Sequence, residues 1–91
     1  MQDIWKNDNN YYKEIIDGEE CYCRDFTKEY QLEISCWKKK KICLYMWKNK
    51  NEIVGKIFDL PKELFKNYEN ILIEECIKNG NKEYYLDWRS E

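Results

Sequence analysis

Tyr30-Gln31-Leu32-Glu33-Ile34-Ser35-Cys36-Trp37-Lys38-Lys39-Lys40-Lys41-Ile42-Cys43-Leu44-Tyr45-Met46-Trp47 is the stretch from which the fold can be read. Its first seven residues alternate, sending Tyr30, Leu32, Ile34 and Cys36 to one face, the mark of a half-buried strand. Ile42–Trp47 is apolar on both faces, as a strand in the middle of a sheet would be. The four lysines between them read as the tip of a hairpin. If that hairpin is ungapped, Cys36 stands directly opposite Cys43, and a single bulge would shift the pairing by one residue.

The same period extends to both sides. Upstream, Tyr11–Ile16 and Glu20–Phe26 flank Asp17-Gly18, a strong turn dipeptide, and form a first hairpin. Downstream, Lys48-Asn49-Lys50-Asn51 is a polar turn, and Glu52–Phe58 is a further strand. Gly55 within it marks a bulge or a close backbone approach. The period then changes. Asp59-Leu60-Pro61 predicts a helix start, with Asp59 as cap and Pro61 in the first turn, and Gly80 predicts its stop. Between them Leu64, Phe65, Tyr68, Ile71, Leu72 and Cys76 fall within about 140° of one another at 100° per residue, an amphipathic stripe. Tyr84, Leu86 and Trp88 then alternate as a closing strand. The order β-β-β-β-β-α-β predicts an α+β fold: an antiparallel sheet of about five to six strands with one helix, from the C-terminal half, packed on one face.

Composition bounds the function. At 91 residues and with 43% apolar and 16% aromatic types, the chain is one domain, residues 1–91, with enough large side chains for a core. Residues 1–10 are polar apart from Ile4 and Trp5 and read as a loosely attached arm or a short helix. Histidine is absent, which excludes Ser-His-Asp and Cys-His catalysis, Cys/His zinc sites and histidine pH switching. Net charge is −2, but its distribution is uneven. Residues 1–36 carry four basic and nine acidic groups, residues 37–66 nine and three, and residues 67–91 three and six. Basic charge is concentrated in the middle third. The N-terminus lacks a basic region followed by an apolar run, and no stretch approaches the roughly 20 apolar residues that span a bilayer. The expectation is a cytoplasmic protein with no membrane partner and no cofactor.

Several features can carry function, each beside a plainer reading. Lys38–Lys41, with Trp37 and Trp47 nearby, forms either a basic, aromatic-flanked tip that contacts a partner or single-stranded nucleic acid, or a solvated turn whose lysines prevent edge pairing. Only Arg24 and Arg89 are available for fork-like phosphate contacts, which weakens the nucleic-acid reading. Five cysteines, at 21, 23, 36, 43 and 76, match no zinc spacing and read as reduced core thiols, with a Cys36–Cys43 pair or a metal as minor alternatives. Glu19/Glu20 and Glu74/Glu75 are adjacent pairs that diverge rather than face each other, and Glu75 lies within the stripe as a candidate buried acid. Ile73 and Ile77 lie opposite the stripe, where either the N-terminal arm covers them or a partner or second copy does.

Phe, Tyr, Met, Ile, Asn and Lys supply 46 of the 91 residues and alanine none, a bias expected of AT-rich coding in a bacterium or in a phage or plasmid it carries. In size, coding bias and lack of catalytic equipment the chain resembles the small single-domain inhibitors of phages and mobile elements. Anti-CRISPR proteins come first among these, toxin-immunity proteins next. The resemblance rests on general character and transfers no residues. It implies a non-enzymatic protein that occludes a surface of a larger protein, such as a nucleic-acid-processing effector. A nucleic-acid-binding module using Lys38–Lys41 and a homodimeric interaction protein are the alternatives. The residues named for partner contact are Trp37, Lys38, Lys39, Lys40, Lys41, Trp47, Ile73 and Ile77.

Overall fold

The computed structural model describes residues 3–79, 84, 85 and 89, those at 77, 79, 84 and 85 by backbone alone. Five strands follow one another as an antiparallel meander: β1 (Tyr12–Ile16), β2 (Glu19–Asp25), β3 (Tyr30–Ser35), β4 (Lys41–Lys48) and β5 (Glu52–Pro61). Helix α1 (Phe65–Asn79) comes next, and β6 (Tyr84–Tyr85) closes the sheet beside β5. The α+β class, the element order and the single helix are as the sequence predicts. β6 runs parallel to β5, so the sheet is antiparallel over its first five strands only. A parallel neighbour requires a crossover, and α1 provides it. Leu86 and Trp88 of the expected closing strand, and the expected helix stop Gly80, lie outside the described residues.

The predicted turns form where the chemistry demands them. Asp17 and Gly18 are both left-handed, at φ 51° and 81°, which makes the tight β1–β2 hairpin. Asn49 and Lys50 are left-handed as well and join β4 to β5.

Three expectations fail for identifiable reasons. Cys36 leaves the strand. It is left-handed at φ 58°, so β3 ends at Ser35, and Ser35 rather than Cys36 pairs with Cys43. The helix starts later than Asp59-Leu60-Pro61 suggests. Asp59 is left-handed at φ 54° inside a bulge, where Ile42 pairs with Leu60 but Leu44 pairs with Ile57. That bulge lets both Ile57 and Leu60 reach the core, which favours continued strand pairing to Pro61 over helix initiation. Proline, lacking an N–H, is tolerated at the end of the strand, and a 3-10 turn at Lys62–Leu64 leads into α1.

The third failure is a rotation of the buried stripe. Phe65, Glu69, Leu72 and Cys76 form it, Leu64, Tyr68 and Ile73 flank it, and Ile71 is 39% exposed. Glu69, only 2% exposed, is the buried acid in place of Glu75. The Tyr11 hydroxyl donates to Glu69 Oε2, Arg24 Nη1 lies 3.1 Å from the same oxygen, and Lys66 Nζ lies 3.3 Å from Oε1. Burial and the bond to Glu69 push the Tyr11 phenol well above its ordinary value, so it remains a donor. The arm is docked rather than loose in its described part. Trp5 is fully buried and meets Phe65 edge-on at 5.2 Å, and Lys6 and Lys62 pair with Asp3.

Helix and sheet meet most closely at Gly55. A Cβ there would overlap the Cys76 sulfur and lie 3.0 Å from Leu72 Cδ1. Gly55→Ala should therefore cost about 1–3 kcal/mol, read as a lower urea midpoint with an unchanged slope. Glu69→Ala leaves Arg24 and Tyr11 without their shared acceptor. We expect a loss of about 2–3 kcal/mol, below the full range for a buried pair because Arg24 is partly solvated.

Candidate functional site

Two surfaces stand out, and the alternation of the strands sets which residues each receives. The first is the end of the sheet where β3 turns into β4. Once Cys36 turns left-handed, the chain makes a short loop closed by Lys39 N–H donating to the Cys36 carbonyl at 3.0 Å. Lys38, Lys39, Lys40 and Lys41 are all exposed on it. Together with Pro61, Lys62 and Glu63 they line a shallow cavity of about 500 Å³. Lys38 lies 3.4 Å from Glu20 and Lys62 2.9 Å from Asp3. Lys39, Lys40 and Lys41 have no acidic partner among the described residues. Their charges remain available to an incoming anion.

Trp37 holds this loop in place and does not project from it. Its ring is buried, packs edge-on against Tyr22 at 5.1 Å, and donates its Nε1 proton to the Glu20 carbonyl at 2.9 Å. The Lys6 ammonium lies 4.2 Å from the ring centroid. A base has no open face on which to stack there. Trp47 lies on the other face of the sheet, so the structure does not bring the two tryptophans together around the lysines. Ile73 is partly buried against the core, and the Ile77 side chain lies outside the described residues.

The second surface is the sheet face opposite α1. Its central residues are Gln31, Glu33 and Ser35 of β3, Cys21 and Cys23 of β2, and Cys43, Tyr45 and Trp47 of β4. The sequence shows the alternation that puts Gln31, Glu33 and Ser35 on the face away from Leu32 and Ile34. Their burial cannot be read from it. Glu33 is 5% exposed and its Oε1 accepts a proton from Trp47 Nε1 at 2.7 Å. Gln31 Nε2 donates to the Tyr12 hydroxyl at 2.8 Å, and that hydroxyl donates to Asp25 at 2.9 Å. A polar network thus covers what no helix covers.

The thiols on this face are poor nucleophiles. Burial, reinforced by the Glu33 carboxyl, pushes Cys21 up to about 12. Burial with Glu14 pushes Cys23 higher still, and burial raises Cys43. On the helix side, burial takes Cys76 to about 12. Such groups stay protonated and inert at neutral pH. All five cysteines are free, and no cluster of three possible ligands is placed to hold a metal ion among the described residues. No described helix is long and apolar enough to cross a membrane. No protein-family model, curated protein or solved structure matches the chain.

At neutral pH a maleimide should label the native protein rapidly at no more than one position, the half-buried Cys36, and all five thiols after unfolding. Mass spectrometry counts them. Because Cys21, Cys23, Cys43 and Cys76 titrate above the ordinary thiol value of about 8.5 in the folded chain, the stability they lend is fully present below that pH and declines as pH rises towards 12. The urea midpoint should therefore be lower at alkaline than at neutral pH.

Proposed function

We propose that the chain is a small non-enzymatic binding protein that occludes a surface of a larger protein, and that the Lys38–Lys41 loop is its principal contact. The observation that carries this reading is the loop itself. Three lysines without acidic partners among the described residues project from a base immobilised by Trp37, beside the Pro61–Glu63 turn. Fixed like charges of this kind attract an acidic surface over about 8 Å at physiological salt and speed encounter more than they tighten the complex.

The absence of histidine and the raised thiols support a binding role over catalysis. A protein partner is favoured over nucleic acid because Trp37 is buried and Trp47 lies on the other face of the sheet, which leaves no tryptophan beside the lysines for a base to stack on. Inhibition of a bacterial or phage-targeted effector, in the manner of anti-CRISPR or immunity proteins, fits the chain's size and coding bias. The larger protein would present carboxylates where the lysines land.

Poly-L-glutamate and single- and double-stranded DNA and RNA serve as probes at about 50 and 200 mM salt. The acidic polypeptide should bind the wild type at the lower salt and lose about tenfold or more in affinity, roughly 1.4 kcal/mol, in a variant with Lys38–Lys41 all changed to Glu. Circular dichroism checks that the variant is folded. Equal binding by the variant would refute the loop as the contact. Tighter binding of nucleic acid than of polyglutamate, collapsing between the two salts, would replace the protein partner with a nucleic-acid one.

A further inference from the structure

β1 is one edge of the sheet, and among the described residues nothing pairs with its outer side. Asp17 and Gly18 close the β1–β2 hairpin as a two-residue turn, so the flanking Ile16 and Glu19 are a hydrogen-bonded pair. Bonding alternates along an antiparallel pair, so Tyr12 and Glu14 also exchange backbone bonds with β2. Lys13 and Ile15 therefore turn their N–H and C=O groups away from the sheet. Such a row of backbone groups is a template for another strand.

The side chains of this edge point the same way. Lys13 and Ile15 stand opposite Tyr22 and Glu20, on the helix-side face but away from α1, which lies chiefly over β4 and β5. Ile15 is 70% exposed, more than any other large apolar side chain among the described residues. The β1–β2 register is continuous from Tyr12 to Ile16, with neither a proline nor a bulge in β1 to turn a second strand away. The one cation guarding the edge is Lys13, which has no acidic partner among the described residues, and Asp17 has no basic one.

We propose that β1 pairs antiparallel with β1 of a second copy of the chain, about a two-fold axis that passes through Ile15 perpendicular to the sheet. Directly opposite residues share a face, so such an axis must place one residue opposite itself. Three centres keep most of the strand paired. An axis at Lys13 sets two ammonium groups against each other, and one at Glu14 sets two carboxylates against each other. Like charges directly opposite are destabilising. An axis at Ile15 sets Ile15 against Ile15 of the second copy and lets the two exchange their outward backbone bonds. In that register Lys13 falls opposite Asp17 of the second copy, and by symmetry the ion pair occurs twice. The charges that guard the edge against other strands thus become the means of accepting this one. The paired stretch is short, so the dimer is a weak one, forming at about 100 µM and above. This inference does not rest on the lysine loop being a contact.

The test is sedimentation equilibrium of the full chain under reducing conditions, from about 10 µM to about 1 mM. The average mass should rise from that of one copy, 11.4 kDa, towards that of two. Ile15→Lys alters a side chain that is already exposed and should weaken association at least about tenfold. Lys13→Glu and Asp17→Lys each convert both ion pairs into like-charge pairs, so each variant alone should be monomeric. A lysine already holds a left-handed turn position at Lys50, so the Asp17 change suits the hairpin. An equimolar mixture of the two should recover the dimer, because every opposed pair in the mixed species is of opposite sign. In the wild type, the Ile15 amide should exchange its proton more slowly at the upper concentration than at the lower. A chain that stays monomeric throughout would overturn the proposal and leave the edge to a strand of another protein. A dimer indifferent to Ile15→Lys, or folded charge variants that do not associate when mixed, would overturn it equally. If a charge variant fails to fold, Ile15→Lys and the wild-type amide decide the matter.

Discussion

One fifteen-residue helix, about 22 Å long, has to serve a six-stranded sheet about 24 Å across. It covers one face only, and it lies chiefly over β4 and β5. Much of the rest of the structure follows from that imbalance. On the helix side, the approach must be close, so Gly55 leaves room for Cys76 and Leu72. Where the helix runs short, the N-terminal segment completes the cover, bringing Trp5 and Tyr11 against Phe65. At the far edge no described residue completes it, and Ile15 of β1 remains 70% exposed.

Glu69 is where the helix, the arm and the sheet are tied together. A buried carboxylate is expensive unless its lone pairs are met. Here Tyr11 comes from the arm, Arg24 from β2 and Lys66 from the helix itself. The arrangement adds little net stability over an apolar substitute, but it fixes the rotation of the helix. Any turn about its axis would leave the acid buried without partners. The same residue explains why the stripe read from sequence is rotated. An acid is assigned to solvent by its type, which shifts the apparent centre of the face towards Ile71 and away from Cys76.

Local chemistry was legible wherever it alone decided the outcome. Asp17-Gly18 specifies its turn, the alternation from Tyr30 to Ser35 specifies its strand, and the lysine run specifies an exposed loop. Decisions that depend on a neighbouring strand were not legible. Asp59 and Pro61 have the chemistry of a helix start, yet Leu60 gains more by pairing beside Ile42 and entering the core. Cys36 has the right parity to continue β3, but the backbone turns left-handed there and the Cys36–Cys43 register slips by one. The uncovered face was equally hidden. Its cavity joins residues from the β1–β2 turn to Ile53 of β5, and no spacing within the chain announces that they meet.

The uncovered face is where the imbalance bears on function. A sheet with one bare face must either expose apolar surface or make that face polar, and this chain does the latter with Glu33, Gln31, Ser35, Tyr12 and Asp25. Most of these groups satisfy one another through short bonds. A network built only for stability would be expected to close on itself, because each unpaired buried group costs about 1–3 kcal/mol. Ser35 keeps to this pattern: it lines a cavity walled by aromatic rings and rimmed by carboxylates, and its hydroxyl is not among the buried side-chain atoms left without a hydrogen bond.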